Sequence, residues 1–305
     1  MIIGTIQQLW RYPVKSMSGQ PLHDCDVGVS GLPGDRGWAL RDEHTREITN
    51  GKQVPRLMQC AARYRQEPGH GTIPHVDITC DEGAATGSDE ANVNQRLSSA
   101  LGRTVSLWPL QPASHKAHYR RASLVSRLSR FKVVRNQLPR LLRVRSVEAQ
   151  VRETFSREPG EPLPDLSQLP AEVLEFTSPP GTYFDAYPIH LLTTASLKVM
   201  AAVNSAAAWD VRRFRPNVLV ETAAGIEGLV EAGWAGRHLR IGALELKCEV
   251  PTVRCGMTIH AQPGLPKDPS VLRSIVKDAN QNLGVYASVV SVGRIAVNDP
   301  VELIS

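Results

Sequence analysis

The run Pro251–Thr258 contains one cysteine whose neighbour could change its chemistry. Cys255 directly follows Arg254. A cationic neighbour favours the thiolate form of a cysteine, and a thiolate is a good ligand for soft metals. A lone cysteine is more often a small buried hydrophobic residue. The local pattern alone favours this second interpretation.

A second polar cluster, Arg213-Phe-Arg215-Pro-Asn217, lies upstream of that cysteine. The planar guanidinium groups of Arg213 and Arg215 can grip a phosphate through two parallel hydrogen bonds, which a lysine cannot do. Taken together, the two clusters offer one soft ligand and several phosphate-binding groups. These are the groups needed to hold an anionic metal cofactor.

The composition is that of a globular protein with a sizeable core. The chain has 305 residues, of which 42% are hydrophobic and 21% charged, within the range of ordinary globular domains. Only 5% are aromatic, which argues against an extended base-stacking surface. The residues after Met1 lack the charged and apolar regions of a signal peptide, and no window is apolar enough for a membrane span. We therefore expect a cytoplasmic protein.

The cysteine spacing excludes several metal sites. The five cysteines are at positions 25, 60, 80, 248 and 255. None forms the Cys-x-x-Cys pair typical of zinc sites or a ferredoxin-type run. An odd number without a secretory signal predicts reduced thiols. The glycines at 28, 31 and 34 have the wrong spacing for a dinucleotide-binding loop.

Residues 1–110 have the pattern of short strands separated by turns. An apolar run over 2–10 predicts a strand that ends in a bend at Tyr12-Pro13, and the Gly31–Asp35 run predicts a turn. A helix is predicted over 89–101, closed by Gly102.

Residues 112–152 are strongly basic, with eleven lysines and arginines against one acidic residue, Glu148. Apolar residues at 124, 128, 131, 134 and 138 have helical spacing, and Pro139 should break or kink the helix. Of the possible roles of this segment, we rank first a solvated helix that packs by its apolar face on the β-barrel expected for the rest of the chain. Attraction of an acidic electron-transfer partner ranks second. Contact with an anionic membrane surface ranks third and nucleic acid last.

Six prolines between 158 and 181 predict an extended connector. A helix capped by Thr193 or Thr194 should follow, and its N-terminus could bind phosphate. Apolar runs at 218–221, 239–250 and 284–295 predict strands of a closed barrel, and residues 270–277 predict a late helix.

The ordered motifs of the chain resemble those of the MOSC-domain family. The motifs begin with residues 9–17 and 31–38 near the N-terminus, continue through 187–197 and 213–217, and end with Arg254-Cys255. The resemblance is to the two-part form, which includes the mitochondrial amidoxime-reducing component and bacterial reductases of N-hydroxylated bases. It implies a mainly β fold with some helices (α+β), in which a MOSC β-barrel packs with an N-terminal β-barrel-like segment.

The resemblance also implies a domain division and a set of site residues. The N-terminal segment would be 1–110, the basic helical insertion and Pro-rich connector 111–168, and the MOSC domain 169–305. A molybdenum-pterin cofactor would lie between the segments, with Cys255 as metal ligand and catalytic residue. The residues that would hold the pterin and its phosphate are Lys15, Ser16, Arg36, Thr194, Ser196, Arg213, Arg215, Asn217 and Arg254.

The function implied is reduction of small N-hydroxylated substrates to the N–H compound and water. No cysteine follows Cys255, so the electrons would come from a separate ferredoxin, flavoprotein or similar protein. Where relatives carry a Thr-x-Val-Asp-Pro-type run after the cysteine, this chain reads Thr258-Ile-His260-Ala-Gln-Pro263 and lacks the acidic residue. A cofactor carrier or sulfur-transfer protein using a Cys255 persulfide stays open, as does a binding module that uses the basic segment.

Overall fold

A computed structural model describes residues 1–304 of the chain except 81–82, 122–147, 150, 168 and 171. The amphipathic helix expected around 124–138 falls outside these described residues. The strands are β1 (Ile2–Arg11), β2 (Gln20–Leu22), β3 (Asp24–Val27), β4 (Trp38–Asp42), β5 (Cys60–Tyr64), β6 (Val76–Cys80), β7 (Thr86–Gly87), β8 (Val105–Pro109), β9 (Ile189–Thr193), β10 (Val218–Thr222), β11 (His238–Ile241), β12 (Leu244–Val253), β13 (Asn282–Ser291), β14 (Gly293–Ala296) and β15 (Pro300–Ile304). The helices are α1 (Val93–Leu101), α2 (Lys116–Tyr119), α3 (Glu172–Glu175), α4 (Thr194–Val203) and α5 (Pro269–Asp278).

Seven strands close into a barrel. The hydrogen-bonded order is β10-β9-β13-β12-β11-β15-β1, and β1 pairs again with β10 to complete the ring. The β9–β10 pair is parallel, whereas the other pairs in the ring are antiparallel. Closure removes the unpaired edges that an open sheet would leave. The closed barrel predicted from the sequence is confirmed.

The barrel interior follows from alternation along its strands. In β12 every second residue is buried, from Leu244 to Thr252, as expected when successive side chains point to opposite faces. The inward residues of the other strands join them in one apolar core that includes Ile6, Val220 and Val285. This core therefore draws on both ends of the chain.

The N-terminal range contributes to two different parts of the fold. β1 belongs to the barrel, and β3 pairs with β14 near the C-terminus. A three-stranded sheet β5-β6-β7, the β4–β8 pair and α1 form a separate core around Leu57, Ile78 and Leu97. The domain division at residues 110 and 168 stays a prediction. The barrel sheet includes β1, which lies in the N-terminal range.

Local signals in the sequence account for the helix ends. α1 ends at Gly102, whose φ of 65° is the left-handed conformation that glycine adopts without strain. The Thr193 side chain accepts a hydrogen bond from the backbone N–H of Ser196 and caps α4. α5 packs against α4 on the outside of the barrel. These three helices are confirmed.

One expectation about the cysteines is wrong. Cys60 and Cys80 are bonded in a disulfide, because they stand opposite each other in the β5–β6 pair. The number and spacing of cysteines in a sequence do not reveal which of them stand opposite each other on neighbouring strands. Cys25, Cys248 and Cys255 are free, and only Cys255 of the three is not buried. Among the described residues, no helix is both long and apolar enough to cross a bilayer.

Candidate functional site

The turns after β1 and β12 meet the start of β9 and β10 and bring most of the expected site residues together. We call this group the cleft cluster. It comprises Tyr12, Lys15, Ser16, Arg36, Asp185, His190, Arg215, Asn217, Arg254 and Cys255. The N-terminal half of the chain supplies four of these residues and the C-terminal half supplies the others.

Tyr12 is the aromatic platform of the cleft cluster. The guanidinium carbon of Arg215 lies 4.2 Å from the centre of its ring, and that of Arg36 lies 4.5 Å away. Its hydroxyl donates to the Pro216 carbonyl at 2.9 Å. Cation–π contact in a buried setting stabilises such pairs. The phenol therefore holds two arginines at fixed positions while leaving their outer N–H groups for other partners.

Three of the expected site residues have a strained backbone. Ser16, Arg36 and Arg215 have φ values of 69°, 51° and 57°, in the left-handed region that non-glycine residues rarely adopt. Such a conformation costs about 1–3 kcal/mol and persists where the surrounding structure enforces it, often at functional sites. Its presence at three members of the cleft cluster makes this region a candidate functional site.

Asn217 joins the two halves of the site. Its side-chain amide donates to the Asp35 carboxylate at 3.0 Å, and its amide oxygen accepts from the His190 backbone N–H at 3.1 Å. Asp35 in turn accepts from the Tyr12 backbone N–H at 2.8 Å and pairs with Arg36. Asn217 thus fixes the N-terminal turn relative to β9.

Arg254 enters the cleft cluster as a buried cation with one N–H group lacking a partner. Its guanidinium donates to the Phe214 carbonyl at 2.8 Å, and another nitrogen lies 3.5 Å from His190 Nε2. Arg254 Nε is buried and has no hydrogen-bond partner among the described residues. Burial, followed by the charge of Arg254, holds the pKa of His190 well below its ordinary value. His190 is therefore neutral and offers Arg254 no countercharge.

Lys15 is fully engaged with the segment that precedes β9. Its ammonium donates to the Ser178 hydroxyl at 3.1 Å, the Tyr183 carbonyl at 2.7 Å and the Asp185 carboxylate at 2.8 Å. Burial lowers the pKa of Lys15, and Asp185 opposes that shift. Partial desolvation of its carboxylate acts to raise the pKa of Asp185, but Lys15, followed by Lys52, outweighs this effect and holds that pKa below its ordinary value.

Two functional candidates, Asp185 and Tyr286, were not identified from the sequence. The Asp185 side chain is 74% exposed although it is paired with buried Lys15, so it presents an ionised carboxylate to solvent. Tyr286, on β13, is half-buried beside His190, with ring centroids 5.5 Å apart. Burial, and then the charge of Asp185, raise the pKa of Tyr286. Pairing of Tyr286 with His190 across strands β13 and β9 was the missing information.

The structure does not bring Thr194 and Ser196 to this cluster. The Ser196 side chain is fully buried and hydrogen-bonds to the Glu231 carboxylate, which also accepts from the Thr193 backbone N–H at 2.6 Å. Thr194 Oγ1 accepts from the Thr222 backbone N–H at 3.2 Å. Glu231 therefore takes the anion position at the N-terminus of α4 that we had expected a phosphate to occupy.

Arg213 is also turned away from the cleft cluster. Its side chain is completely buried and donates to the carbonyls of Ala208, Thr258, His260 and Pro266. Three of these carbonyls belong to the loop that follows Cys255. Arg213 holds that loop against the segment before β10, and this contact uses the guanidinium that the sequence assigned to phosphate.

The remaining residues fit an anionic cofactor held by one thiolate. Within the described ranges, no group of three His, Cys, Asp or Glu side chains could hold a metal ion by itself. Arg215 and Arg254 are buried, and neither has a carboxylate within ion-pair distance in that part of the chain. Buried cations require compensating charge. An anionic group that brings its own metal ligands and reaches Cys255 would supply it.

Two family descriptions match the chain. The description "MOSC N-terminal beta barrel domain" matches residues 3–128, and "MOSC domain" matches residues 180–302. The two matches follow each other in the order expected from the motifs.

Curated relatives resemble nearly the whole chain. Mitochondrial amidoxime-reducing component 1 of Homo sapiens is 25% identical over 333 residues, which cover 99% of this chain and 83% of that protein. Mitochondrial amidoxime reducing component 2 of Homo sapiens is 25% identical over 323 residues, covering 98% and 83%. Among solved structures, the YuaD protein of Bacillus subtilis is 11% identical, with a TM-score of 0.40 over 99% of this chain and 96% of that one.

Proposed function

Because this chain belongs to the MOSC-domain family, with an N-terminal MOSC beta barrel domain before the MOSC domain, we propose that it is a molybdenum-cofactor-dependent reductase of N-hydroxylated compounds. The family and the full-length likeness to amidoxime-reducing components support such an activity. The reaction converts an N–OH group to N–H plus water and consumes two electrons and two protons.

The observation that carries this proposal is the buried, unpaired positive charge beside Cys255. Arg254 Nε lacks a partner, and Arg215 has no carboxylate within ion-pair distance among the described residues. Cys255 is half-buried directly after Arg254. Guanidinium groups suit phosphate, and a thiolate suits a soft metal. Lys15, Ser16, Arg36, Arg215, Asn217 and Arg254 would hold or position the pterin and phosphate, and Cys255 would bind the metal.

When bound, the molybdenum supplies the two-electron chemistry of N–O cleavage. The residues of this chain bind and orient the reactants. The ionised Asp185 carboxylate, exposed to solvent, can accept hydrogen bonds from an amidine-like substrate. The Tyr286 phenol carries its proton at neutral pH, as an unshifted tyrosine does, and burial raises its pKa further. Its hydroxyl can therefore donate to the oxygen of an N–OH group.

The electron source belongs to the same proposal. We propose a separate electron-donor protein such as a ferredoxin or flavoprotein, since the free cysteines do not form a cluster site among the described residues. The cytoplasmic location expected from the sequence stays a prediction. The relatives are named as mitochondrial, and the Cys60–Cys80 disulfide is typical of an oxidising compartment. Residues 112–152 lie largely outside the described part and stay a proposed contact for such a donor or for a membrane surface.

The test is the molybdenum and pterin content of the purified protein, from a host that makes the cofactor, for the wild type and Cys255→Ala. The matched control is Cys248→Ala, which removes a buried thiol from the barrel core. We expect near-stoichiometric metal in the wild type and the control and loss of metal in Cys255→Ala. The loaded wild type should then reduce benzamidoxime with a viologen donor.

Two other results would change the conclusion. Pterin that washes out of the wild type, together with a persulfide on Cys255, would favour the cofactor carrier or sulfur-transfer protein. Absence of metal and pterin from the wild type would overturn the molybdenum proposal.

A further inference from the structure

A segment between the two matched domains packs directly on the loop that carries Cys255. We call residues 151–161 the strap. Residues 151–155 are helical, and Ser156 then adopts a left-handed φ of 53°. The strap was interpreted from the sequence as part of an insertion and connector without a role in the site.

The strap leaves no space above the residue after Cys255. A Cβ atom on Gly256 would lie 2.2 Å from Ser156 Oγ and 3.0 Å from Ser156 Cβ. Arg273 donates to the Ser156 carbonyl at 2.6 Å, and Lys52 donates to the Thr154 carbonyl at 2.8 Å. Contacts from both halves of the chain therefore hold the strap against this loop.

Arg157 extends from the strap to the backbone beside Cys255. It is 6% exposed. Its guanidinium donates to the Arg254 carbonyl at 3.0 Å, the Gln281 side-chain oxygen at 3.0 Å and the Phe155 carbonyl at 2.8 Å. The Gln281 carbonyl accepts from the Arg254 backbone N–H at 2.9 Å. Both backbone groups of Arg254 are thereby fixed by one network.

The charge of Arg157 has no carboxylate partner within ion-pair distance in the described part of the chain. Glu161, on the same strap, is held at 2.6 Å by Arg273. Burial lowers the pKa of Arg157, while Glu161 and Cys255 act in the opposite direction. A buried cation is stable only with compensating charge, and Cys255 is the residue joined to the Arg254 carbonyl that Arg157 contacts.

We propose that Arg157 is a positioning residue of the metal site, which fixes the Arg254–Cys255 backbone and directs positive charge at the Cys255 sulfur. This inference rests on the proposed function for the identity of the cofactor, but not for the presence of the charge. It extends the site to a third region of the chain, the strap between the two domains.

The first experiment measures the charge without any cofactor. Cofactor-free protein is treated with a dianionic aromatic disulfide reagent and with a neutral dipyridyl disulfide, which both react with the half-buried thiol of Cys255. We expect Arg157→Gln to lower the rate with the dianionic reagent several-fold relative to the rate with the neutral reagent. Arg157→Lys should keep the wild-type ratio of these two rates. Arg152→Gln is the control, because Arg152 bonds the Glu158 and Glu161 carbonyls from the same strap. An unchanged ratio in a folded Arg157→Gln would overturn the proposal.

The second experiment measures cofactor retention. Outer-shell partners typically change metal affinity by about 10–100-fold. We therefore expect about tenfold faster loss of molybdenum from Arg157→Gln and Arg157→Lys, since neither new side chain can make all three hydrogen bonds of Arg157. Arg152→Gln should not speed the loss. A more negative reduction potential should accompany only the Gln variant. Gly256→Ala, which displaces Ser156, tests the strap contact independently and should also speed the loss.

The outcomes separate the two proposals. A wild type that never loads molybdenum contradicts the proposed function, and the reagent ratio still decides the role of Arg157. A loaded wild type whose Arg157 variants keep wild-type retention and reagent ratio contradicts the role of Arg157 and leaves the proposed function intact.

Discussion

At the scale of single residues, sequence motifs identified the types of group better than their positions. Lys15, Arg215, Asn217 and Arg254 could be predicted as site residues, and the fold brings them together. Thr194, Ser196 and Arg213 belong to equally persuasive motifs, but other groups of the protein already use the hydrogen-bonding atoms of their side chains. The sequence could not reveal those acceptors, because Glu231 and the Pro266 carbonyl come close only through packing.

Glu231 provides a test at this scale. Glu231→Ala should lower the free energy of unfolding by about 1–3 kcal/mol, because it leaves the buried Thr193 N–H and Ser196 hydroxyl without an acceptor. Glu231→Gln keeps an acceptor and removes the charge. Neither variant should alter cofactor content, since α4 begins away from the cleft cluster. Urea unfolding and metal analysis measure both effects.

The Glu231→Gln variant also predicts a pH dependence. Burial raises the pKa of Glu231 above its ordinary value of 4.5, against hydrogen bonds from Ser196 and Thr193. The folded state therefore binds this proton more tightly than the unfolded state. The contribution of this proton to the free energy of unfolding is fully present below the ordinary pKa of a glutamate. It is lost as pH rises through the pKa that Glu231 has in the folded state. Relative to wild type, Glu231→Gln should gain stability from acid to neutral pH; parallel pH curves would contradict this.

At the scale of elements, strands and helices with clear periodicity could be predicted, whereas their partners could not. The alternation in β12 and the Gly102 cap of α1 are local signals. Contacts between distant residues determine the Cys60–Cys80 bond, the parallel β9–β10 pair and the position of the Arg157 side chain. Local sequence carries no information about such contacts.

Gly284 in β13 allows a matched test of one such contact. Its φ is +92°, and an added Cβ would lie 2.3 Å from His190 Nε2 and 2.7 Å from the Leu191 carbonyl. Gly236 has a φ of +82° with nothing within 4 Å of its added Cβ. Gly236→Ala should cost only the left-handed backbone strain, about 1–2 kcal/mol. Gly284→Ala should cost a further 1–3 kcal/mol, roughly, from overpacking.

Gly284→Ala should also weaken cofactor binding, because it displaces His190, whose Nε2 lies 3.5 Å from Arg254. Thermal unfolding and molybdenum content distinguish the two alanine variants. Equal losses of stability in both would show that the close approach at Gly284 has no energetic weight.

At the scale of the whole molecule, the first strand joins the two matched domains into one structural unit. β1 lies between β10 and β15, and its Ile6 side chain is fully buried in the barrel core. The family matches divide the chain at sequence level, but the hydrogen-bonded sheet does not follow that division. We therefore expect the two segments to unfold together.

Paired core substitutions test this cooperativity. Ile6→Ala in the barrel and Ile78→Ala in the three-stranded sheet each remove a buried side chain and should cost about 2–5 kcal/mol. Hydrogen exchange measured by mass spectrometry should show each variant lowering protection in both cores. Loss confined to the core that carries the substitution would show that the segments are energetically independent.

The place of β1 in the ring also has a consequence for biosynthesis. β1 is translated before both of its neighbours in the ring, Val218–Thr222 and Pro300–Ile304. At roughly 5–20 residues per second, an apolar strand with two open edges waits about 10–60 s for its partners. The nascent chain must be shielded from other chains during that interval, so its yield in cells should depend on chaperone supply more than its final stability would suggest.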